Sequence, residues 1–468
     1  MAQVLVAGGG ICGTAAALML ARDGHDVVVI DRDPAPLPAS AEAAWEWERR
    51  SVAQFRFAHL MLARGHQVLT AELPDVPARL LAEGGLHLNL LDLMIDGIEG
   101  AERRPDDDRF DAVTGRRSTV EWVLASTLAE TGDVTVRRGA AIEGLLAGRE
   151  VLPGVPHVGG VRLADGEELR ADLVIDATGR RSSSPDWIAA MGGRAPCEES
   201  EDSGFTYVGR FFRSSDGSVP ELRAPVLSPI GSISVLCIPS DNGTWSITLY
   251  AAASDAPMRR LRDPAVFERV VRACPAHAHW LDGEPIGEVA SMSGVLDRTR
   301  HFVVDGAPVV TGMLTIADAN ACTNPSLGRG MSLGLTQAAL MRAAVRSHLA
   351  SPADLALAFD ADTTATIGPW RDATRAADRA RAAEMSALAD GRAPDPDPGT
   401  AIAGTIQAAM TRDEQALRWV AEIQGCLSVP LAVFSRPGAI EHLRELQARF
   451  EPLVLPGPDR DQLLELVS

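Results

Sequence analysis

The sequence predicts an α/β chain: a Rossmann-like parallel-sheet domain, an inserted antiparallel-sheet domain and a helical C-terminal region. Three observations carry this. A strand–glycine turn–helix–strand unit fills residues 4–31, alternating aromatic and β-branched runs fill 204–304, and long helical patterns dominate after residue 331.

The first unit opens with Val4–Ala7, a short apolar, β-branched run suited to a buried parallel strand. Gly8, Gly10 and Gly13 then form G-x-G-x-x-G, Ala15–Arg22 reads as a helix, and Gly24 closes it. Asp26–Ile30 is a second strand with Asp31 at its carboxyl end. In such a frame Gly8 makes the tight turn, Gly10 lets backbone N–H groups approach a pyrophosphate, and Gly13 lets helix pack on strand. The helix N-terminus offers free N–H donors and a positive dipole end to phosphate, and Asp31 is placed to accept from a ribose. The motif alone does not choose between FAD and NAD(P).

Composition narrows the function. At 468 residues and 46% apolar, the chain is globular and large enough for several units. Its net charge of -19 argues against nucleic acid or an anionic membrane as the main partner. Every one of the 44 strongly basic side chains is arginine, which removes any mechanism that needs a lysine. Six dispersed cysteines without C-x-x-C suggest a reduced, cytoplasmic protein. Cys274, His277 and His279 lack a second ligand pair at zinc spacing, so no metal is expected. The N-terminus lacks a basic leader region and reads as core rather than signal peptide. No apolar run approaches the ~20 residues of a membrane span.

Ala41–Arg50 reads as helical, with Trp45 and Trp47 as packing residues. Gln54–Gly65 runs from a polar stretch into a helix whose apolar stripe includes Leu60, Met61, Leu69 and Leu73. Arg117 lies at the start of a helix ending near Thr131, and Val134–Arg138 is a strand. Asp165–Gly166 joins two strands as a hairpin, and Leu173–Asp176 is a buried strand entering a turn. Phe205–Phe212, Ile233–Ile238 and Trp245–Ala251 are antiparallel strands, and Pro264–Ala273 is a helix. A strand then leads to Asp318, a loop follows through Asn324–Gly330, and Met331–Leu349 is a long apolar helix. Ala353–Leu388 is helical with alternating Arg and Asp, read as a solvated face. A proline-rich linker at 393–399 precedes two or three further helices.

Three ordered stretches resemble the flavoprotein monooxygenase superfamily typified by p-hydroxybenzoate hydroxylase. They are the Gly8/Gly10/Gly13 loop, the Asp176-Ala177-Thr178-Gly179 turn and Ala317-Asp318 leading to Asn324-Pro325 and Gly328-Arg329-Gly330-Met331. Gln54-x4-His59-x2-Leu62-x2-Gly65, Arg117-x2-Val120-Glu121-Trp122 and Asp176-Ala177-Thr178-Gly179-Arg180-x-Ser182 further resemble bacterial polyether and squalene-type epoxidases. The resemblance spans about residues 1–350.

It implies an FAD-dependent monooxygenase that inserts one atom of O2 into a small organic substrate, of a kind found in secondary metabolism, by epoxidation or hydroxylation. The alternatives on the same scaffold are an FAD-dependent oxidase or dehydrogenase and a flavin-binding protein without turnover. It implies FAD held by Gly8, Gly10, Gly13, Asp31, Arg32, Arg117, Asp318, Pro325, Gly328, Arg329, Gly330 and Met331. Flavin-proximal candidates are His59, Gln54 and Arg329. The antiparallel sheet would roof the flavin, with Phe205, Tyr207, Phe211 and Trp245 as pocket candidates. NAD(P)H would supply electrons directly or through a partner flavin reductase.

Three departures stand out. Ala317 replaces the family's glycine before the acid. Thr178 replaces an acid that serves nicotinamide use, which weakens direct reduction by NAD(P)H. Trp45-Glu46-Trp47 only partly resembles the tryptophan box of flavin-dependent halogenases: Arg49 and Arg50 stand where Ile-Pro would follow, and the required lysine is missing.

On this reading the nucleotide domain comprises 1–80, 109–195 and 305–350. The substrate domain comprises 81–108 and 196–304, and the helical region is 351–468.

Overall fold

A five-stranded parallel sheet organises the computed structural model, which describes residues 1–132 and 134–468. Its order is Met313–Thr315, Leu173–Asp176, Gln3–Ala7, Asp26–Asp31, Val134–Arg138, with every neighbouring pair parallel. Strand alternation splits the first strand's side chains between two layers. Val4 and Val6 pack with the helices Ile11–Arg22, Arg117–Ala129 and Gly330–His348. Leu5 faces a three-stranded antiparallel layer, Ile142–Ala147, Val158–Leu163 and Glu168–Arg170, and the helix Ser184–Ala190. The chain leaves the first strand to one side and later returns on its other side. Ligands of open α/β sheets bind in the crevice at such a reversal, beyond the strands' carboxyl ends.

The inserted sheet has the order Leu227–Ile230, Ile233–Pro239, Thr244–Ala252, Phe205–Arg213, Glu284–Ser293, all antiparallel. One face carries Val208, Phe212, Trp245, Ile247 and Leu249 against the helix Pro264–Arg272. The opposite face carries Tyr207, Gly209, Leu236, Ser246 and Thr248 by the same alternation.

The structure departs from the sequence reading in five places. Ala41–Arg50 forms only a short turn of 3-10 helix, Ala43–Glu46, because Trp47 is drawn against Phe55 and Arg49 into a buried ion network. The helix Ala63–Glu72 starts after Leu60 and Met61, which lie in the irregular stretch before it. Residues 90–98 pack Leu91, Ile95 and Ile98 against Ile406, Leu417 and Trp419 of the C-terminal helices rather than against the inserted sheet. After the linker there are five helices: Pro398–Ala409, Glu414–Gln424, Pro430–Phe434, Ala439–Arg449 and Arg460–Leu466.

The helix Pro352–Ala389 is not simply a solvated charged face. Arg375 and Arg379 pair with Glu201, while Thr374 and Asp378 turn inward and are buried. No helix among the described residues is long and apolar enough to cross a membrane.

Candidate functional site

The glycine turn is built by close approaches that only glycine permits. Gly8 has φ +104, and a Cβ there would lie 2.5 Å from the Ala177 carbonyl oxygen. A Cβ on Gly13 would lie 2.0 Å from the Gly8 oxygen. Gly10 differs: its backbone is extended, and a Cβ would meet no protein atom within 4 Å. The helix Ile11–Arg22 begins there without a side-chain cap, leaving N–H donors for a ligand.

Asp31, at the end of the second strand, is buried and paired with Arg49 Nη1. Arg49 also donates from Nη2 to the Gly9 oxygen at 2.9 Å and from Nε to Glu121 Oε2 at 3.2 Å. Burial opposes the charge of Arg49, but Glu121, Asp31 and Asp33 outweigh it and raise its pKa. Glu121 accepts in turn from Arg117 Nε at 2.7 Å. Sequence reasoning gave Arg49 and Glu121 no role; for Glu121 the local sign is its place four residues after Arg117 on one helix face, and Arg49 has none.

Arg117 Nη1 donates to His59 Nε2 at 2.9 Å, and His59 Nδ1 contacts the Phe57 carbonyl at 2.9 Å. Arginine cannot accept, and a carbonyl cannot donate. The partners therefore assign the neutral Nδ1–H tautomer. Burial and the Arg117 cation push the imidazole pKa down to about 3. His59 lines the cavity, but both ring nitrogens are engaged and it is not a proton acceptor at neutral pH.

At the other end Asp318 follows Ala317, which adopts φ +53. The Ala317 N–H donates to Gln337 Oε1 at 2.7 Å. The Asp318 carboxylate lines the cavity and accepts no protein hydrogen bond among the described residues. Burial raises its pKa against the pull of Arg117, Arg180 and Arg298. Gly328 is left-handed at φ +64, and the helix Gly330–His348 starts beyond it without a side-chain cap. Arg329 lines the cavity, but its guanidinium turns to the long helix. There it donates to Thr374 Oγ1 at 2.8 Å and lies 5.0 Å from the Trp370 ring centre.

These elements share one cavity of about 480 Å³. Gly8, Gly10, Gly13, Asp31, Arg32 and Arg117 line it, as do Gln54, His59 and Asp318. So do Pro325, Gly328, Arg329, Gly330 and Met331. Tyr207, Leu227, Leu236, Ile238 and Thr248 line its far wall.

Of the four aromatic pocket candidates, only Tyr207 lines the cavity. Trp245 alternates to the opposite face, stacked on Phe212 with ring centres 6.3 Å apart. Phe211 is on the facing side but is covered by Trp45 at 5.3 Å. Phe205 is enclosed by Phe57, Tyr250 and Met385.

Residues 1–199 match the family model described as FAD binding domain. The structure resembles that of PqsL, a "probable FAD-dependent monooxygenase" from Pseudomonas aeruginosa. The TM-score is 0.60 at 18% identity, covering 83% of this chain and 97% of that one. The chain shares the fold of PqsL and matches an FAD-binding domain over its first 199 residues. CmlS, a flavin-dependent halogenase, matches with a TM-score of 0.59 at 17% identity, over 96% of this chain and 76% of that one. Protein Rv3254 of Mycobacterium tuberculosis is 28% identical over 399 residues, 78% of each chain.

Behind the loop 324–330, Tyr207 Oη donates to Asn324 Oδ1 at 2.8 Å, and Asn324 Nδ2 donates to Asp378 Oδ2 at 3.0 Å. Ser326 donates to Asp378 Oδ1, and the Asn324 N–H donates to Asp297 Oδ1 at 2.8 Å. Asp297 and Asp378 also line a second cavity of about 200 Å³ with Glu201, Arg375 and Arg379. Burial pushes the Asp378 carboxyl up to about 6, against its hydrogen bonds from Ser326 and Asn324.

Proposed function

We propose that this chain is an FAD-dependent monooxygenase that places one atom of O2 into a small, largely apolar organic substrate by epoxidation or hydroxylation. The observation that carries the reading is the continuous cavity. It runs from the glycine turn and Asp318 to the uncharged wall of the inserted sheet.

Two features fit FAD. Among the described residues the Asp318 carboxylate has no protein donor, so its hydrogen-bonding capacity is free for ligand hydroxyls. The space beside Gly10 is empty of protein where a pyrophosphate would approach. On this reading Gly8, Gly10, Gly13 and the following helix N-terminus hold the pyrophosphate. Asp31 and Arg32 serve the adenosine ribose, and Asp318 with Arg117 serves the ribitol and phosphates. The backbone of Pro325, Gly328, Arg329, Gly330 and Met331 meets the ring. Bound there, FAD supplies the electron transfer and O2 activation. The protein's own part is to orient substrate and exclude water. A neutral His59 and an Arg329 anchored to Thr374 and Trp370 suit that supporting part. Halogenation is disfavoured because the chain contains no lysine.

The test is product mass after turnover under isotopically labelled O2. Label in the product supports oxygen insertion. Unlabelled product with continued flavin reduction would make the chain an oxidase or dehydrogenase instead. For the site itself, Asp318→Ala should give folded, flavin-poor protein, read from the visible-to-ultraviolet absorbance ratio. Each lost charged hydrogen bond weakens binding by about 1.5–3 kcal/mol. Full flavin occupancy would remove Asp318 from the site.

A further inference from the structure

Resting on the reading of this cavity as a substrate site, we infer that it selects an uncharged, largely apolar molecule presenting one O–H or N–H donor to Tyr207, and that Asp378 acts as a positioning residue by setting the hydrogen-bonding polarity of Tyr207 through Asn324.

The argument follows donors and acceptors. An ionised Asp378 carboxylate can only accept, so the NH2 side of the Asn324 amide must face it. The amide oxygen then faces Tyr207 and can only accept, so the single Tyr207 proton is committed to it. Tyr207 lines the cavity with its proton already used; what it has left for a ligand is oxygen lone pairs. A ligand group that meets this oxygen must donate. An ether or carbonyl oxygen there would face lone pair against lone pair and leave a buried acceptor unpaired. The charge preference has a separate origin. The sheet wall around Tyr207 is formed by Leu227, Leu236, Ile238, Thr248 and Met292, none of which carries a charge. A carboxylate placed against Leu227, Leu236 or Ile238 would lose its hydration without a partner there; the Arg180 guanidinium reaches this wall at Met292, 3.9 Å from Nη1 to the sulfur, and the naphthoate probe tests whether it offers one. Asp378 itself lies on the helix Pro352–Ala389, outside residues 1–199, so this selection rests on packing between separate parts of the chain.

The test uses the oxidised, flavin-loaded protein at pH 8 and three probes: 1-naphthol, 1-methoxynaphthalene and 1-naphthoate. Binding is read from perturbation of the flavin's visible absorbance. In the wild type, 1-naphthol should bind at least tenfold tighter than either other probe. Tyr207→Phe should bring the naphthol and its methyl ether within threefold of each other.

Asp378→Leu is the decisive variant. It removes the acceptor that holds the Asn324 NH2 away from Tyr207, so the amide can turn Nδ2 toward Tyr207. The Tyr207 proton is then released toward the cavity, so the methoxy probe should tighten and the naphthol preference should fall below threefold. A merely structural role for Asp378 would weaken both probes together. Four outcomes overturn the inference: equal binding of naphthol and ether to the wild type, tightest binding of naphthoate, an unchanged preference in Asp378→Leu, or no binding of naphthol. Equilibrium binding needs no turnover. Failure of oxygen insertion in the labelled-O2 experiment is therefore distinguishable from failure here.

Discussion

Single residues separate folding from binding at this site. Gly10 and Gly13 belong to one motif but do different work. Gly10 is extended with open space at its Cβ position, whereas a Cβ on Gly13 would lie 2.0 Å from a backbone oxygen. Gly10→Val should therefore fold normally and lose flavin. Gly13→Ala should lose stability by about 1–3 kcal/mol or more, since the helix must move off the strand. Thermal midpoint and flavin content, measured on both variants, check the split; equal effects on both would contradict it. Ala317 makes the opposite point. It holds a left-handed conformation at φ +53 where the family carries glycine. Nearby Gly334 gives its Cβ room: a Cβ on Gly334 would approach that of Ala317 to 3.0 Å. Ala317→Gly should relieve about 1 kcal/mol of backbone strain, seen as a higher thermal midpoint with flavin content unchanged.

At the scale of an element, the long helix Pro352–Ala389 brings a titrating group behind the loop 324–330. Asp378 is buried near Asp297, which raises its pKa, and Arg329, which lowers it; Glu201, Arg375 and Arg379 share its small cavity. The folded chain keeps the Asp378 proton up to about pH 6. An unfolded aspartate releases it near pH ~4. Between those values the folded state binds the extra proton, so this group's contribution to stability falls as pH rises. Above pH 6 the ionised carboxylate costs about 3 kcal/mol relative to the acid form. Asp378→Asn, which never ionises, should be more stable than wild type at pH 8. The gap in thermal midpoint should close as the pH drops below about 6. A constant gap across pH 5–8 would show that Asp378 does not titrate there. His59 has the opposite sign. Its depressed pKa means that acid favours the unfolded chain, beginning below pH ~6.5.

At the scale of the whole molecule, the question is where electrons enter. In the mid-chain turn, Thr178 donates from its N–H and hydroxyl to Asp176 Oδ1 at 2.9 and 2.6 Å, and Ser182 donates to Asp176 Oδ2. The acid of this turn is thereby consumed internally. Arg180 and Arg181 line the cavity without a carboxylate partner among the described residues. We expect NAD(P)H alone to reduce the flavin slowly and a flavin reductase to restore turnover. Anaerobic stopped-flow with NADH and NADPH, following flavin absorbance with and without reductase, checks this. Bleaching by either nucleotide alone at the rate of turnover would show a self-sufficient enzyme, with Arg180 and Arg181 as its phosphate contacts.

The sequence by itself determined what depends on neighbours along the chain. The glycine turn, the acid after the second strand, the alternation of the inserted sheet and the long helices were legible because strand and helix periods repeat within a few residues. The tertiary structure decided which side of each element meets the cavity. Alternation puts Tyr207 and Trp245 on opposite faces, but only packing against Pro264–Arg272 makes one face core and the other cavity wall. Packing also covered Phe211 with Trp45 and turned Arg329 toward Thr374. The ion network joining Asp31, Arg49, Glu121, Arg117 and His59 links residues as many as 72 positions apart, and Asp378 reaches Asn324 across 54. Apart from Arg117 and Glu121, four residues apart on one helix, no local pattern marks such partners. A buried charge such as that of Arg49 or Asp31 is tolerated because a distant segment brings the counter-charge that offsets its desolvation, and that condition is met only in the folded chain.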